Sequence, residues 1–447
     1  MLARQAVAQS KRVSRAFSST AEYDRIVDLR RKYLSPSLRT FEAYDKPVVL
    51  EKASMQYMWD SEGRKHIDLL GQNLCVSVGH CHPTVVKRAV DQMTTLSHVT
   101  TMYYHKEPAE LAKEIVDTLP PHPSGEDWVV HLVATGSEAV DLAIQMARTH
   151  TGRSETIALN KAYHGLQGYA AAVTAIGKAT QSAYASMFTG CRHVDANDLA
   201  SLENYIKFGT GGQVACMLME PLQGYGGIFS LDDGYMKAAF EMVEAAGGCT
   251  IADEVQTGYG RCGESFWGFQ MKNNDKIPDM ITMAKGMGNG VGIIGAVVCR
   301  RSIAESFSKK MFFNTYGANP TAAAAARGVL QVMREENIMD NCNKQGALFN
   351  KRLSKLCSEM PNVYSEVRGK GLFQGLEIHG TTVEESGANA FEIHRRLLPS
   401  GVVVGRGSAA GNVFRVQPPM CIQEEDVNFV CDKLEEVGRE WAKEQGL

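Results

Sequence analysis

The sequence predicts an α/β protein: a large domain with a mostly parallel sheet, joined to a smaller α+β domain drawn from both chain ends. Three observations predict it. From about Glu107 to Glu336, short apolar runs alternate with helical segments. The runs are apolar throughout instead of alternating with polar residues, the pattern of strands covered on both faces. From about Asn337 the pattern changes to one long amphipathic helix followed by scattered strand signals.

The elements follow in chain order. The first twenty residues carry Arg4, Lys11, Arg12 and Arg15, four serines and no acid before Glu22. Leu2, Ala6, Val13 and Phe17 can share one helical face. This is the composition of a mitochondrial transit peptide, removed between Phe17 and Tyr23; residues 1–20 are therefore set apart from the fold. Residues 34–99 are expected to contribute to the smaller domain. Met55–Trp59 reads as a strand, Ser61-Glu62-Gly63-Arg64 as a hairpin turn, His66–Leu70 as the returning strand and Thr84–Met93 as a helix. Residues 100–336 form the expected large domain. Its strands are Trp128–Ala134, Thr156–Leu159, Val214–Glu220, Cys249–Asp253, Met280–Ala284 and Ile294–Cys299, with helices such as Glu138–His150 and Tyr235–Ala246 between them. Residues 337–447 return to the smaller domain, with strand signals at Gly371–Ile378 and Val402–Val404 and a terminal amphipathic helix from Glu424.

Composition excludes several classes. The chain has 447 residues, with Lys and Arg totalling 47 against 50 Asp and Glu, a net charge of -3. That balance argues against a broad nucleic-acid surface. No apolar run reaches 18 residues, so no membrane-spanning helix is expected. The 11 cysteines form no C-x-x-C pair, which reads as free thiols in a reducing compartment. His80 and His82 could be metal ligands, but H-x-H before Pro83 reads better as part of a loop, so no metal is expected.

Five places carry chemistry. Ala134-Thr135-Gly136-Ser137-Glu138-Ala139 follows an apolar strand and opens a helix. Gly136 permits close backbone approach, and the first N–H groups of a helix attract an anion such as a phosphate; alternatively Ser137 is a plain N-cap. Tyr163 in Ala162-Tyr163-His164-Gly165 can wall a flat ring, or be a structural tyrosine. Asp253 ends an apolar strand, where ligands bind in open α/β sheets. A carboxylate there can pair with a protonated ring nitrogen, a unit-charge attraction of roughly 4 kcal/mol at about 4 Å and an effective dielectric of about 20. Asp253 and Glu254 could instead form a metal or ion-pair site. Thirty-two residues on, Lys285 also ends an apolar strand and faces the glycine-rich turn Gly286-Met287-Gly288-Asn289-Gly290. A desolvated amine beside a cationic ring has a lowered pKa and becomes a nucleophile toward an aldehyde. The turn lacks the Rossmann spacing, which argues against NAD. Last, Val413-Phe414-Arg415-Val416 sets an arginine in a strand-like stretch. Its fork suits a carboxylate, although a lone strand arginine is commonly a surface residue.

In order, these are an anion turn, an aromatic wall, an acid, a lysine and an arginine. The G-S-E-A, Y-H-G, D-E-V-Q-T-G-x-G-R, K-G and N-T-x-G-x-N-P motifs, at Gly136, Tyr163, Asp253, Lys285 and Asn314, resemble those of class III aminotransferases of pyridoxal-phosphate (PLP) fold type I. The resemblance runs from about Leu34 to the C-terminus. It implies PLP as cofactor, with Gly136 and Ser137 on its phosphate. Tyr163 and Val255 would lie against the two faces of its ring, with His164 also at the cofactor. Asp253 would pair with the ring nitrogen and Gln256 with the phenolic oxygen, while Glu220 supports Asp253. Lys285 would hold the cofactor covalently and move the proton. Arg415 would take the substrate α-carboxylate. The family implies a homodimer or a dimer of dimers, in which Thr315 reaches the phosphate of the partner's cofactor, acting on small amino acids and 2-oxo acids.

Two departures narrow the substrate. Relatives acting on ornithine or 4-aminobutyrate carry Arg where this chain has Leu166, and several carry Glu where it has Tyr225. Both changes favour small substrates. The stretches Val76–Pro83, Phe266–Gln270 and Val404–Ser408 resemble the mitochondrial alanine–glyoxylate aminotransferase type 2 subfamily. That implies alanine plus glyoxylate giving pyruvate plus glycine in the matrix, with 3-aminoisobutyrate or methylated arginines as further donors. The alternative is a PLP-dependent phospholyase on a phosphorylated amino alcohol, which would need additional cations.

Overall fold

A computed structural model describes residues 20–177 and 185–447. Residues 1–19 of the expected transit segment lie outside the described residues. The first sheet begins with β1 (Leu50–Ser54), β2 (Tyr57–Asp60) and β3 (Lys65–Asp68), an antiparallel meander. The expected hairpin turn is present. Asp60 Oδ1 accepts from the N–H groups of Glu62 at 3.0 Å and Arg64 at 2.9 Å, while Gly63 supplies φ +77°, the left-handed backbone that favours glycine.

The central sheet contains β4 (Trp128–Val133), β5 (Glu155–Leu159), β6 (Cys191–Val194) and β7 (Val214–Met219). A short hairpin, β8 (Leu222–Gln223) with β9 (Phe229–Ser230), stands apart. β10 (Cys249–Asp253), β11 (Met280–Met283) and β12 (Gly295–Arg300) complete the central sheet, whose spatial order is β4-β12-β11-β10-β7-β5-β6. Only β12 runs antiparallel to its neighbours β4 and β11. The expected mostly parallel sheet is therefore observed, with the strand boundaries read from sequence matching to within one residue at each end.

Successive residues explain why the central strands are apolar throughout. In β7, Cys216 and Leu218 pack into the core layer that holds Val140, Ala143 and Ile144 of the helix Gly136–Thr151. Met217 and Met219 point the other way, into the layer with Tyr235, Met236 and Phe240 of the helix Tyr235–Ala245. Both faces exclude water, so neither face of the strand tolerates polar residues. β6, missed by the sequence reading, reads Cys-Arg-His-Val at the sheet edge. It is only part-buried, which leaves no apolar run to detect.

The remaining strands are β13 (Tyr364–Lys370), β14 (Phe373–Ile378), β15 (Val402–Val403), β16 (Gly405–Gly407) and β17 (Val413–Val416). Four form an antiparallel sheet in the order β13-β14-β17-β16. β15 instead pairs parallel with β3, so the C-terminal region completes the N-terminal sheet. The alanine-rich run belongs to the helix Pro320–Glu335. Ala322 to Ala326 are buried, and a Cβ on Gly328 would stand 3.0 Å from Val85 Cα in the helix Pro83–Thr95. Small residues here let two helix backbones approach closely.

Candidate active site

Five parallel strands, β4, β5, β7, β10 and β11, deliver side chains at their C-terminal ends, the face on which open α/β sheets bind ligands. The chain leaving β4 turns at Thr135, whose Oγ1 accepts from Glu138 N at 3.2 Å and caps the helix that Gly136 opens. The cap is therefore Thr135, and Ser137 is left to face the pocket. The first N–H groups of that helix have no acceptor within it. Gly165, φ +123°, lies so close to the Ser137 hydroxyl that a Cβ there would collide with it. This gives the Y-H-G motif its glycine a physical reason.

Behind these groups lies a polar lattice. His164 Nδ1 and Asp253 Oδ2 are 2.7 Å apart, both buried. Asp253 Oδ1 accepts from Val255 N at 3.1 Å and from Thr282 Oγ1 at 3.2 Å. β10 and β11 are in register at Asp253 and Thr282, which is how a neighbouring strand braces the acid. Glu220, just past β7, accepts from Tyr163 N at 2.9 Å, from Gly224 N at 2.9 Å and from Gln256 Nε2 at 3.2 Å. Burial raises its carboxyl above the usual range. Glu254 points away. It accepts from Thr257 Oγ1, Gly268 N and Phe269 N at 2.6–2.8 Å, and burial pushes it up to about 7. Its task is to tie down the Trp267–Phe269 turn, so the Asp253–Glu254 pair is no metal site; no group of acids, histidines and cysteines that could hold a metal occurs among the described residues.

Lys285 follows β11 by two residues. Its φ is +41°, a left-handed backbone of order 1–3 kcal/mol for a residue with a Cβ, kept only when the surroundings impose it. Nζ lies 5.7 Å from the centre of the Tyr163 ring. Burial, then the nearby Arg415 charge, lowers the amine from 10.5 to about 8. Arg415 comes from β17, not from the central sheet. It is 3% exposed, so it is no surface residue. Nη2 reaches Gln256 Oε1 at 3.4 Å, and Nε is without a partner among the described residues. The guanidinium lies 5.5 Å from the Tyr225 ring, and that ring is 5.6 Å from the Tyr163 ring. Burial lowers its pKa to about 10.

These groups surround a cavity of about 290 Å³. Gly136, Ser137, Tyr163, His164, Glu220, Asp253, Val255, Gln256 and Lys285 all line it. Arg415 stands next to it through Gln256. Thr315 is exposed and does not join the lining. Sequence reasoning missed Cys75, Ile293 and Ile294, which also line the cavity, and Thr282. None belongs to a chemical motif, and only the fold brings them there.

Comparison with known proteins decides what this geometry belongs to. The class-III aminotransferase family model matches residues 41–437. The chain belongs to the class III aminotransferases. The alanine–glyoxylate aminotransferase 2 homolog 2 of Arabidopsis thaliana mitochondria is 35% identical, over 92% of this chain and 87% of that one. Among solved structures, a Bacillus anthracis aminotransferase superimposes with a TM-score of 0.85 at 26% identity, covering 94% of this chain and 99% of that one. An Arthrobacter phospholyase in complex with phosphoethanolamine gives 0.83 at 28%, covering 93% and 99%. This aminotransferase has fold type I and depends on PLP. The residues present fit that cofactor: a helix N-terminus for a phosphate, a braced buried acid, a lysine with a lowered pKa, and His164 Nε2 and Arg415 Nε, which have no partner among the described residues.

Proposed function

We propose that this aminotransferase moves the amino group of L-alanine to glyoxylate, giving pyruvate and glycine, with PLP held at Lys285. Gly136 and Ser137 bind the cofactor phosphate, joined by Thr315 of a second copy. Tyr163 and Val255 flank the ring, and Gln256 bonds its phenolic oxygen. Asp253 holds the ring nitrogen protonated, with His164 and Glu220 supporting it. Bound there, PLP supplies an electron sink that acidifies the substrate α-proton. Lys285, whose amine burial lowers to about 8, would be the base that takes the substrate proton and gives it back within the site. Arg415 grips the substrate carboxylate and orients the α-carbon toward the amine.

The observation that carries the substrate reading is the state of Arg415. It is buried and faces an aromatic ring, where a glutamate at position 225 would form an ion pair. A small acid can therefore take the guanidinium without displacing a protein carboxylate. The exposed Leu166 offers no cation to a distal carboxylate, which disfavours ornithine and 4-aminobutyrate. 3-Aminoisobutyrate and methylated arginines are further donors. Residues 34–99 and 337–447 make the smaller domain around the large one, 100–336. Two copies pair as a homodimer. The basic, serine-rich residues 1–20 direct the protein to the mitochondrial matrix.

The likeness to a phospholyase favours one second reading, β-elimination from a phosphorylated amino alcohol. Among the described residues lining the cavity, Lys285 is the one Lys or Arg, so a substrate phosphate would have Arg415, beside the lining, as its partner and no additional cation among those lining residues. Half-reactions of the PLP form with alanine, 3-aminoisobutyrate, dimethylarginine and ornithine, alongside phosphate release from phosphoethanolamine, test both. Alanine as the best donor supports the proposal. Ornithine as the best donor, or phosphate release faster than transamination, overturns it. Lys285→Ala is expected to abolish turnover and release PLP on gel filtration.

A further inference from the structure

Lys285 is held in a left-handed backbone that lysine does not adopt unaided. Its glycine-rich turn contains one other left-handed non-glycine residue, Asn289, at φ +51°. Asparagine tolerates that conformation, and here its side chain is occupied. Oδ1 accepts from Ser77 N at 2.8 Å and from Val78 N at 3.0 Å, and Nδ2 donates to Gly79 O at 2.8 Å. One buried amide therefore pairs with the backbone of three successive residues about 210 positions away. A second tie runs beside it: Ser77 Oγ donates to Gly286 O at 2.7 Å. Gly286 is pressed against this segment, since a Cβ on it would stand 3.2 Å from Ser77 Cβ.

The segment on the other side of these ties is itself anchored. Gly71, Gln72, Asn73 and Leu74 all have positive φ, a left-handed turn just before Cys75. Asp68 holds it, accepting from Leu70 N at 2.9 Å and Gly71 N at 3.0 Å through Oδ1, with Oδ2 2.9 Å from His80 Nε2. Asp68 and His80 are buried. The lysine turn is thus fastened at its far end to a rigid wall and not merely packed against it.

We propose that Asn289 is a positioning residue for Lys285. Its amide clamps the turn to Ser77–Gly79, imposes the left-handed backbone at Lys285, and so holds the amine at the cavity. Without the clamp the turn relaxes, and the amine swings toward solvent and regains the basicity of an ordinary lysine. The inference rests on the assignment of Lys285 as the cofactor lysine.

The test separates the amide from the backbone. Asn289→Gly removes the side chain while keeping left-handed φ free of strain; Asn289→Ala removes it and adds strain; Ser77→Ala removes the second tie and the 3.4 Å contact of Ser77 Oγ with Asn289 Oδ1, and leaves the amide's three backbone bonds. In the cofactor-free proteins, the rate at which an amine-selective reagent labels Lys285 is followed against pH by peptide mass mapping. The expected result for Asn289→Gly is a labelling midpoint raised by about one pH unit or more from about 8. In the loaded enzyme kcat falls about tenfold while KM for alanine changes less than about threefold, because Arg415 is untouched. Ser77→Ala gives a smaller change in the same direction. Unfolding midpoints and circular dichroism report whether each variant is folded. A folded Asn289→Gly with the wild-type midpoint and kcat overturns the proposal, as does a fall in kcat matched by lost stability with no change in the midpoint. If Lys285→Ala retains turnover and bound PLP, it is the assignment of Lys285 that fails.

Discussion

A half-buried lysine and a buried arginine set the chemistry of this site. Burial lowers the proton affinity of both, and the Arg415 charge lowers that of Lys285 further. With the cofactor absent, Lys285 binds its proton less tightly in the folded chain than in the unfolded one. Between pH 8 and 10.5 the unfolded chain therefore holds the extra proton, and the cofactor-free protein gains stability as pH rises through that window. Capture of PLP, which needs the neutral amine, is expected to rise with pH and level off above about 8; stopped-flow absorbance measures it. Arg415→Ala removes the second cause and leaves the first. The midpoint should move upward yet stay below 10.5, while kcat/KM for alanine falls roughly 30-fold, about 2 kcal/mol for a lost charge-assisted bond. Asp253, Lys285 and the G-S-E-A turn were legible in the sequence because each ends an apolar run, where the sheet presents its ligands. Thr282, Asn289 and the Cys75 wall were not. Their roles arise from register and long-range contact, which leave no local pattern.

At the scale of elements, the central strands read well because both faces of each are dry. Leu218 in β7 is fully buried between the helix Gly136–Thr151 and its own sheet neighbours. Leu218→Ala should cost about 3 kcal/mol through lost transfer energy and a residual cavity, seen as a lower denaturant midpoint at unchanged slope. β6, β1 and β13 were missed or only hinted at because they are short, edge-placed or half-exposed. Their pairing partners stabilise them, not their own composition. The cap of the helix Gly136–Thr151 moved from Ser137 to Thr135 for a comparable reason. Only the backbone path shows which hydroxyl reaches Glu138 N.

At the scale of the whole molecule, the exposed apolar residues Met102, Tyr103, Tyr104, Ile293, Met311 and Phe313 are more surface than an isolated chain ordinarily leaves wet. Ile293 borders the cavity, and Thr315 lies two residues from Phe313. A homodimer that covers these residues would shield the cavity mouth and bring Thr315 to the neighbouring site. Phe313→Arg is therefore expected to shift sedimentation toward monomer and to weaken PLP retention together. Dissociation with PLP affinity intact would break the link between interface and cofactor.

Sequence by itself determined the family, the α/β class and the identity of the acid, the lysine and the arginine, because strand ends and glycine turns leave local signatures. Tertiary structure alone decided that Arg415 is buried with its Nε unpartnered among the described residues, that Tyr225 faces it, and that Asn289 reaches Ser77 across about 210 residues. Those are facts of packing between distant segments, and the energy of a buried charge or a strained backbone depends on what surrounds it, not on the residues beside it in the chain.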